Sequence, residues 1–302
     1  MKDTTKGVLA IVAASSIWGL SGMYYKLIAH VPPLEVLSHR TLWSLAFFAI
    51  VLLMQGRLRS VAGFLRDRRT LGLLVASAVM ISINWFGFIF SIQQGWAMEA
   101  SFGYYIFPMV SVAFGFFFFG ERLGRAQWLA VGIAGFAVAM LGFGLGKPPW
   151  IALMLASTFG LYGLLKKKLA VGAVASVFIE VLLLSPLAVL WLLFGVEQGA
   201  FGASASNAAL LAFSGIMTGL PLMLFSYAAR RVSMATVGLV QYLNPTLQFL
   251  VATFVFGEVF TRWHAVAFPM IWVGLAIYSW NSWRQERSAR RRDRSSGTSA
   301  TT

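Results

Sequence analysis

Long apolar runs alternate with short polar breaks along almost the whole chain. The runs fall at 7–29, 34–55, 71–93, 99–119, 126–145, 149–166, 174–195, 207–229, 236–256 and 263–283. Each is close to the roughly 20 residues, about 30 Å of helix, that the hydrocarbon core of a bilayer requires. A backbone in hydrocarbon must satisfy its own N–H and C=O groups, so runs of this length predict helices. The pattern therefore predicts an all-α integral membrane protein with ten transmembrane helices. The first run is too long for the apolar segment of a signal peptide, and nothing like a cleavage site precedes His30-Val31-Pro32-Pro33, so it reads as a retained span.

The runs are not independent of one another. Met98 to Glu121 and Ala235 to Glu258 are two copies of one pattern at a constant offset of 137, with Tyr105 on Tyr242, Pro108 on Pro245, Gly120 on Gly257 and Glu121 on Glu258. At the same offset Leu73, Leu74, Ser77 and Met80 match Leu210, Leu211, Ser214 and Met217. Ser16, Gly19, Leu20, Gly22 and Lys26 match Ser157, Gly160, Leu161, Gly163 and Lys167 at an offset of 141. The chain thus divides into a first five-helix repeat at 1–145, a second at 146–283, and a tail at 284–302. An odd number of spans per half makes the second half cross the membrane in the opposite sense, which places a central cavity at the midplane between the halves. The mid-span prolines, Pro108 and Pro245, free the carbonyls of Tyr104 and Gln241 and are candidate hinges.

Charge fixes the expected orientation. Hydrophobic residues make up 59% of the 302, charged residues 11%, and mean hydropathy is +0.76, against about 25% charged residues in soluble domains. The net charge of +14 suggests nucleic acid at first sight, but the basic residues sit in short loops and a tail between apolar runs, as topology determinants do. Of the 24 lysines and arginines, all but Lys26, Arg40, Lys147 and Arg262 fall in the tail and in breaks on the N-terminal side of the membrane. That asymmetry predicts that both termini are cytoplasmic. The Arg- and Ser-rich tail reads as disordered and as facing anionic lipid. There is no cysteine, and the three histidines do not cluster. No acid pair, nucleophile–base set or phosphate loop is present, so neither an enzyme nor a bound cofactor or metal is expected.

Polar side chains within the runs carry the candidate chemistry, because each is costly in lipid unless it faces protein or water. Ser77, Asn84 and Ser91 form one stripe; Gln241, Asn244 and Gln248 form another beside Pro245. Trp18, Tyr25, Tyr104, Tyr105, Tyr162, Thr218 and Tyr242 complete the expected lining of a neutral polar cavity. Interhelical hydrogen bonding is the structural alternative for each. Glu180 is the one carboxylate well inside a run; it suits either proton coupling or a pair with the Lys166–Lys168 cluster. Lys26 and Arg40 are expected to snorkel to the outer surface. Glu121 and Glu258 are expected to pair with neighbouring arginines. Close helix approach is expected at Gly215/Gly219, Gly132/Gly135 and Gly160/Gly163.

Ten spans in a five-plus-five repeat, with Phe-Gly-Glu closing the fourth and the ninth, resemble the drug/metabolite transporter superfamily in its EamA branch. The resemblance covers residues 7–283. Ser16-Ile17-Trp18-Gly19, His39-Arg40, Glu99-Ala100-Ser101-Phe102-Gly103-Tyr104, Gly120-Glu121-Arg122 and Gln127-Trp128-Leu129-Ala130 look like the RarD-type proteins and amino-acid exporters of the YddG kind. The resemblance implies a basket of ten helices exporting amino acids, aromatic ones included, or related metabolites across the bacterial inner membrane. A monomer holds both halves and is sufficient. The small multidrug branch exchanges protons at a glutamate in its first span, whereas residues 7–29 contain no acid. A proton-coupled exporter of drugs or other metabolites is the alternative, with Glu180 as its coupling site.

Overall fold

The computed structural model describes residues 3–120, 123–146, 148–232 and 234–297, and all of its regular structure is helical. The main helices are α1 (Asp3–Leu27), α2 (Pro33–Met54), α3 (Arg68–Gln93), α4 (Ala97–Phe119), α5 (Arg125–Leu145), α6 (Trp150–Lys167), α7 (Ala173–Phe194), α8 (Ala205–Ala229), α9 (Met234–Gln241), α10 (Leu243–Leu250) and α11 (Arg262–Gly297). Local signals set their starts. The Asp67 carboxylate accepts the Arg69 and Thr70 N–H groups before α3, and Ser204 accepts Asn207 N–H at the head of α8. Pro33 occupies the first turn of α2, where its missing N–H costs nothing.

Among the described residues seven helices, α1–α5, α7 and α8, are long and apolar enough to cross a membrane. Their outward faces carry large apolar side chains, with Phe143 89% and Phe194 82% exposed, as lipid-facing surfaces do. The expected sixth, ninth and tenth runs are helical too but differ in form. α6 is only 18 residues long and ends on a pair of lysines. The ninth run breaks at Tyr242 into α9 and α10, and then loosens into a π-helical turn at Val251–Val255. The last helix does not stop at 283. It continues to Gly297, so the expected disordered tail is helical from Arg284 to that point. No proline or glycine interrupts that stretch, and a helix already nucleated by packing extends at little cost.

The helices pair in a pattern that follows the sequence repeat. α1 packs on α8 and α10; α6 packs on α3 and α4. Since α1 corresponds to α6, α3 to α8, and α4 to α9–α10, these are equivalent contacts in two similar halves. α2 also packs on α7, and α5 on α11. Small residues allow the closest approaches. A methyl group at Gly103 would lie 2.8 Å from the Ala152 carbonyl, and one at Gly215 2.4 Å from that of Trp43. Gly132, Gly135 and Gly163 face open space instead, so three of the six expected packing glycines make no close contact.

At one end of the bundle, carboxylates cap free backbone N–H groups. Glu258 accepts the N–H groups of Ala97 and Met98, both at 2.7 Å, at the head of α4. Glu99 accepts Ile151 N–H at 3.1 Å at the head of α6, and Glu35 accepts Ala200 N–H at 2.6 Å before α8. A carboxylate at a helix N-terminus satisfies free donors and complements the helix dipole. The glycine of the repeated Phe-Gly-Glu makes this geometry possible. Gly257 takes φ 66° and Gly120 φ 65°, a left-handed conformation that turns the chain sharply at the helix end. Glu258 is therefore a cap and not the arginine partner expected from sequence; Glu121 lies outside the described residues. Burial pushes the Glu258 carboxyl above the usual carboxylate range, against the downward pull of the Met98 and Ala97 N–H groups and of Lys26.

Candidate substrate site

The side-chain hydrogen bonds of the polar stripes fall into groups. They form three separate clusters, and each sequence candidate belongs to one of them or to a helix contact.

The first cluster surrounds Arg40, seven residues into α2. Contrary to the expectation of snorkelling, Arg40 is buried. Its Nε donates to Thr218 Oγ1 at 2.9 Å. Its guanidinium lies over the Trp85 ring at 4.1 Å and near the Tyr25 ring at 5.7 Å. Among the described residues no carboxylate reaches ion-pair distance of it. A charge at a helix centre costs about 2.5–3.5 kcal/mol on insertion scales. Contact with the indole, worth ~0.5–2 kcal/mol, and a charged hydrogen bond, worth ~1.5–3 kcal/mol, offset that cost without neutralising the charge. The cluster around Arg40 is thus cationic.

Asn84 stands one residue from Trp85 and ties three helices together. Its Nδ2 donates to Leu155 O at 3.0 Å and Thr158 Oγ1 at 3.1 Å, and its Oδ1 accepts the Tyr104 hydroxyl at 3.0 Å. An aromatic strip begins beside these groups. Tyr25 meets Phe88 at 5.8 Å, Phe88 meets Tyr104 at 5.9 Å, Tyr104 meets Phe159 at 5.9 Å, and Phe159 meets Tyr162 at 6.1 Å. The repeat pairs Phe159 with Trp18, and that is the one signal in the sequence for its place here.

The strip leads to the second cluster, at Glu180 on α7. This carboxylate is fully buried and fully engaged. It pairs with Lys166 at 2.8 Å and accepts from Ser77 at 2.7 Å, Tyr162 at 3.2 Å and Ser176 at 3.3 Å. Ser77 and Tyr162 are therefore partners of Glu180. Of the two expectations for Glu180, the lysine pair is the arrangement seen.

The third cluster joins α4 to α10. Ser101 donates to Pro245 O at 2.8 Å, and the Tyr105 and Thr246 hydroxyls lie 2.7 Å apart. Gln248 donates to Asn244 at 2.9 Å, and its Oε1 is buried with no partner among the described residues. The break at Tyr242 divides the expected amide stripe, leaving half-buried Gln241 on α9. Tyr105 and Tyr242 line a side groove of about 430 Å³ with Trp272 and Leu239. Trp18 is half-buried against Phe225 at 6.2 Å. The two candidate hinges differ, since Pro108 lies within an unbroken α4. No group of acids and histidines able to hold a metal occurs among the described residues.

Comparison with known proteins identifies the family. Two segments, residues 5–143 and 148–280, each match the EamA-like transporter family. The chain belongs to that family, within the drug/metabolite transporter superfamily. It is 41% identical to Protein RarD of Streptomyces exfoliatus over 95% of this chain and 92% of that one. It is 38% identical to an uncharacterized transporter of Vibrio cholerae serotype O1 over 96% and 97% of the two chains. One solved crystal structure superposes with a TM-score of 0.57 over 90% of this chain and 96% of that one, at 20% identity, a likeness of fold alone. The double match fits the paired helix contacts, and the apolar helices make this a multi-pass membrane transporter of the family.

Proposed function

We propose that this transporter exports amino acids, aromatic ones included, across the bacterial inner membrane by alternating access. In this reading ten spans form two inverted five-helix halves with both termini cytoplasmic, and the halves rock about the central clusters. The observation that carries it is the juxtaposition at the bundle centre of the Asn84–Tyr104–Thr158 hydrogen-bonded group and the aromatic strip through Phe88 and Phe159. Such a site sets oxygens with spare acceptor capacity, on Asn84 and Tyr104, beside ring faces that suit the apolar side chain of an amphiphile. Stacking on rings tolerates many side chains, which favours broad selectivity.

The carboxylate-capped end supports a state closed on the outer side, with the centre reached from the cytoplasm. Glu180 is already neutralised by Lys166, which supports movement that needs no proton gradient. Reconstitution in liposomes loaded with labelled amino acids tests the reading. Efflux of several amino acids with or without a pH gradient is expected. Efflux only with a gradient returns the coupling role to Glu180 and favours the proton-coupled alternative.

A further inference from the structure

We propose that Arg40 is a binding residue for the carboxylate of the transported molecule; this rests on the amino-acid reading above for its biological meaning. Guanidinium has five N–H donors in a planar fork. One of Arg40's is used on Thr218, and the rest have no hydrogen-bond partner among the described residues. The nearest acid on its own helix, Glu35, is engaged by Ala200 N–H. The Tyr25 hydroxyl, on the ring that flanks the guanidinium, likewise has no hydrogen-bond partner among the described residues. A buried cation with unused donors, set against an indole and near a ring whose hydroxyl is unused, matches a planar two-oxygen anion. Thr218 and Trp85 fix the fork in place, so a ligand need not order it on binding. The aromatic strip starts at Tyr25, so an anion on Arg40 would lay its apolar part along Phe88 and Tyr104. The ligand class that follows is a small carboxylate with an apolar, preferably aromatic, body.

Phenylacetate and phenylacetamide have nearly the same shape and differ in charge, so they test the assignment directly. Purified protein in detergent is titrated with each, and thermal unfolding is followed. Phenylacetate should raise the midpoint and phenylacetamide should not. Arg40→Gln should raise the half-saturating phenylacetate concentration roughly tenfold or more, and Arg40→Lys, which keeps the charge but loses the fork, should lose less. Three results overturn the assignment: no response to phenylacetate, equal stabilisation by acid and amide, or an Arg40→Gln protein that responds like the wild type. The acid–amide comparison uses the wild-type protein, so it decides the matter even if a variant fails to fold. Amino-acid flux measured in parallel separates the two readings. Carboxylate binding through Arg40 without any flux removes the transport reading and keeps the site. Normal flux in a folded Arg40→Gln protein removes the site and keeps the transport reading.

Discussion

Two buried charges at the centre illustrate how differently a single residue can be accommodated. Glu180 has four polar partners and Arg40 has one. Removing one member of a buried ion pair strands the other, at a cost of about 3–5 kcal/mol, while replacing both with apolar groups is often neutral. Because Lys166 is partly exposed, the lower end of that range applies. Lys166→Ala should therefore lower thermal stability markedly, and the double change Lys166→Met with Glu180→Leu should recover most of it. A Lys166→Ala protein as stable as the wild type would show that the pair is not holding the helices. Asn84→Ala removes a side chain bonded to two others and to the Leu155 carbonyl, which should cost about 1–3 kcal/mol and reduce flux beyond any loss of membrane abundance. Flux per molecule unchanged in this variant would remove Asn84 from the site. The sevenfold spacing of Ser77 and Asn84 correctly put them on one face, but not in one cluster: along a single stripe they meet α7 and α6 respectively. Nor was the fate of Arg40 legible, since a position near the end of a run says nothing of which way the side chain turns.

At the scale of the element, sequence reported where helices lie better than what their special residues do. Pro108 and Pro245 occupy matching positions, yet only the second accompanies a break. The Pro245 carbonyl is taken by Ser101 and the Tyr242 carbonyl by Thr246, so α10 has outside and local partners that stabilise the bent form. Pro245→Ala should slow flux more than Pro108→Ala does; the opposite order of initial rates would contradict a hinge at Tyr242. Glycines divide in the same way. Gly103→Ala drives a methyl group into the Ala152 backbone and should destabilise by about 1–3 kcal/mol, while Gly132→Ala, open to the outside, should leave unfolding unchanged or slightly raise its midpoint. Glu258 gives a pH prediction. Its carboxyl protonates above the usual carboxylate range, so the native state binds the proton more tightly than the unfolded chain does. The stability linked to it is fully present below the ordinary glutamate pKa and is lost as pH rises through the elevated one. The difference in unfolding midpoint between wild type and Glu258→Gln should therefore become less favourable to the wild type as pH rises through that window.

Over the whole molecule, the repeat was the most legible feature, because pseudo-symmetric packing needs similar small and apolar residues at matching positions in both halves. The α1–α8 and α6–α3 contacts, and the matches at 5–143 and 148–280, follow it closely. The division of polar groups into three clusters was not legible, because it depends on helix azimuth and on the one-sided break at Tyr242. The capped helix ends and the Glu180–Lys166 pair both support the proposed exporter that works without a proton gradient. Flux from liposomes loaded with labelled phenylalanine and other amino acids, with and without an imposed pH gradient, tests this most directly. Efflux of several amino acids at rates independent of the gradient is the predicted result; no movement of any amino acid under either condition would contradict the account.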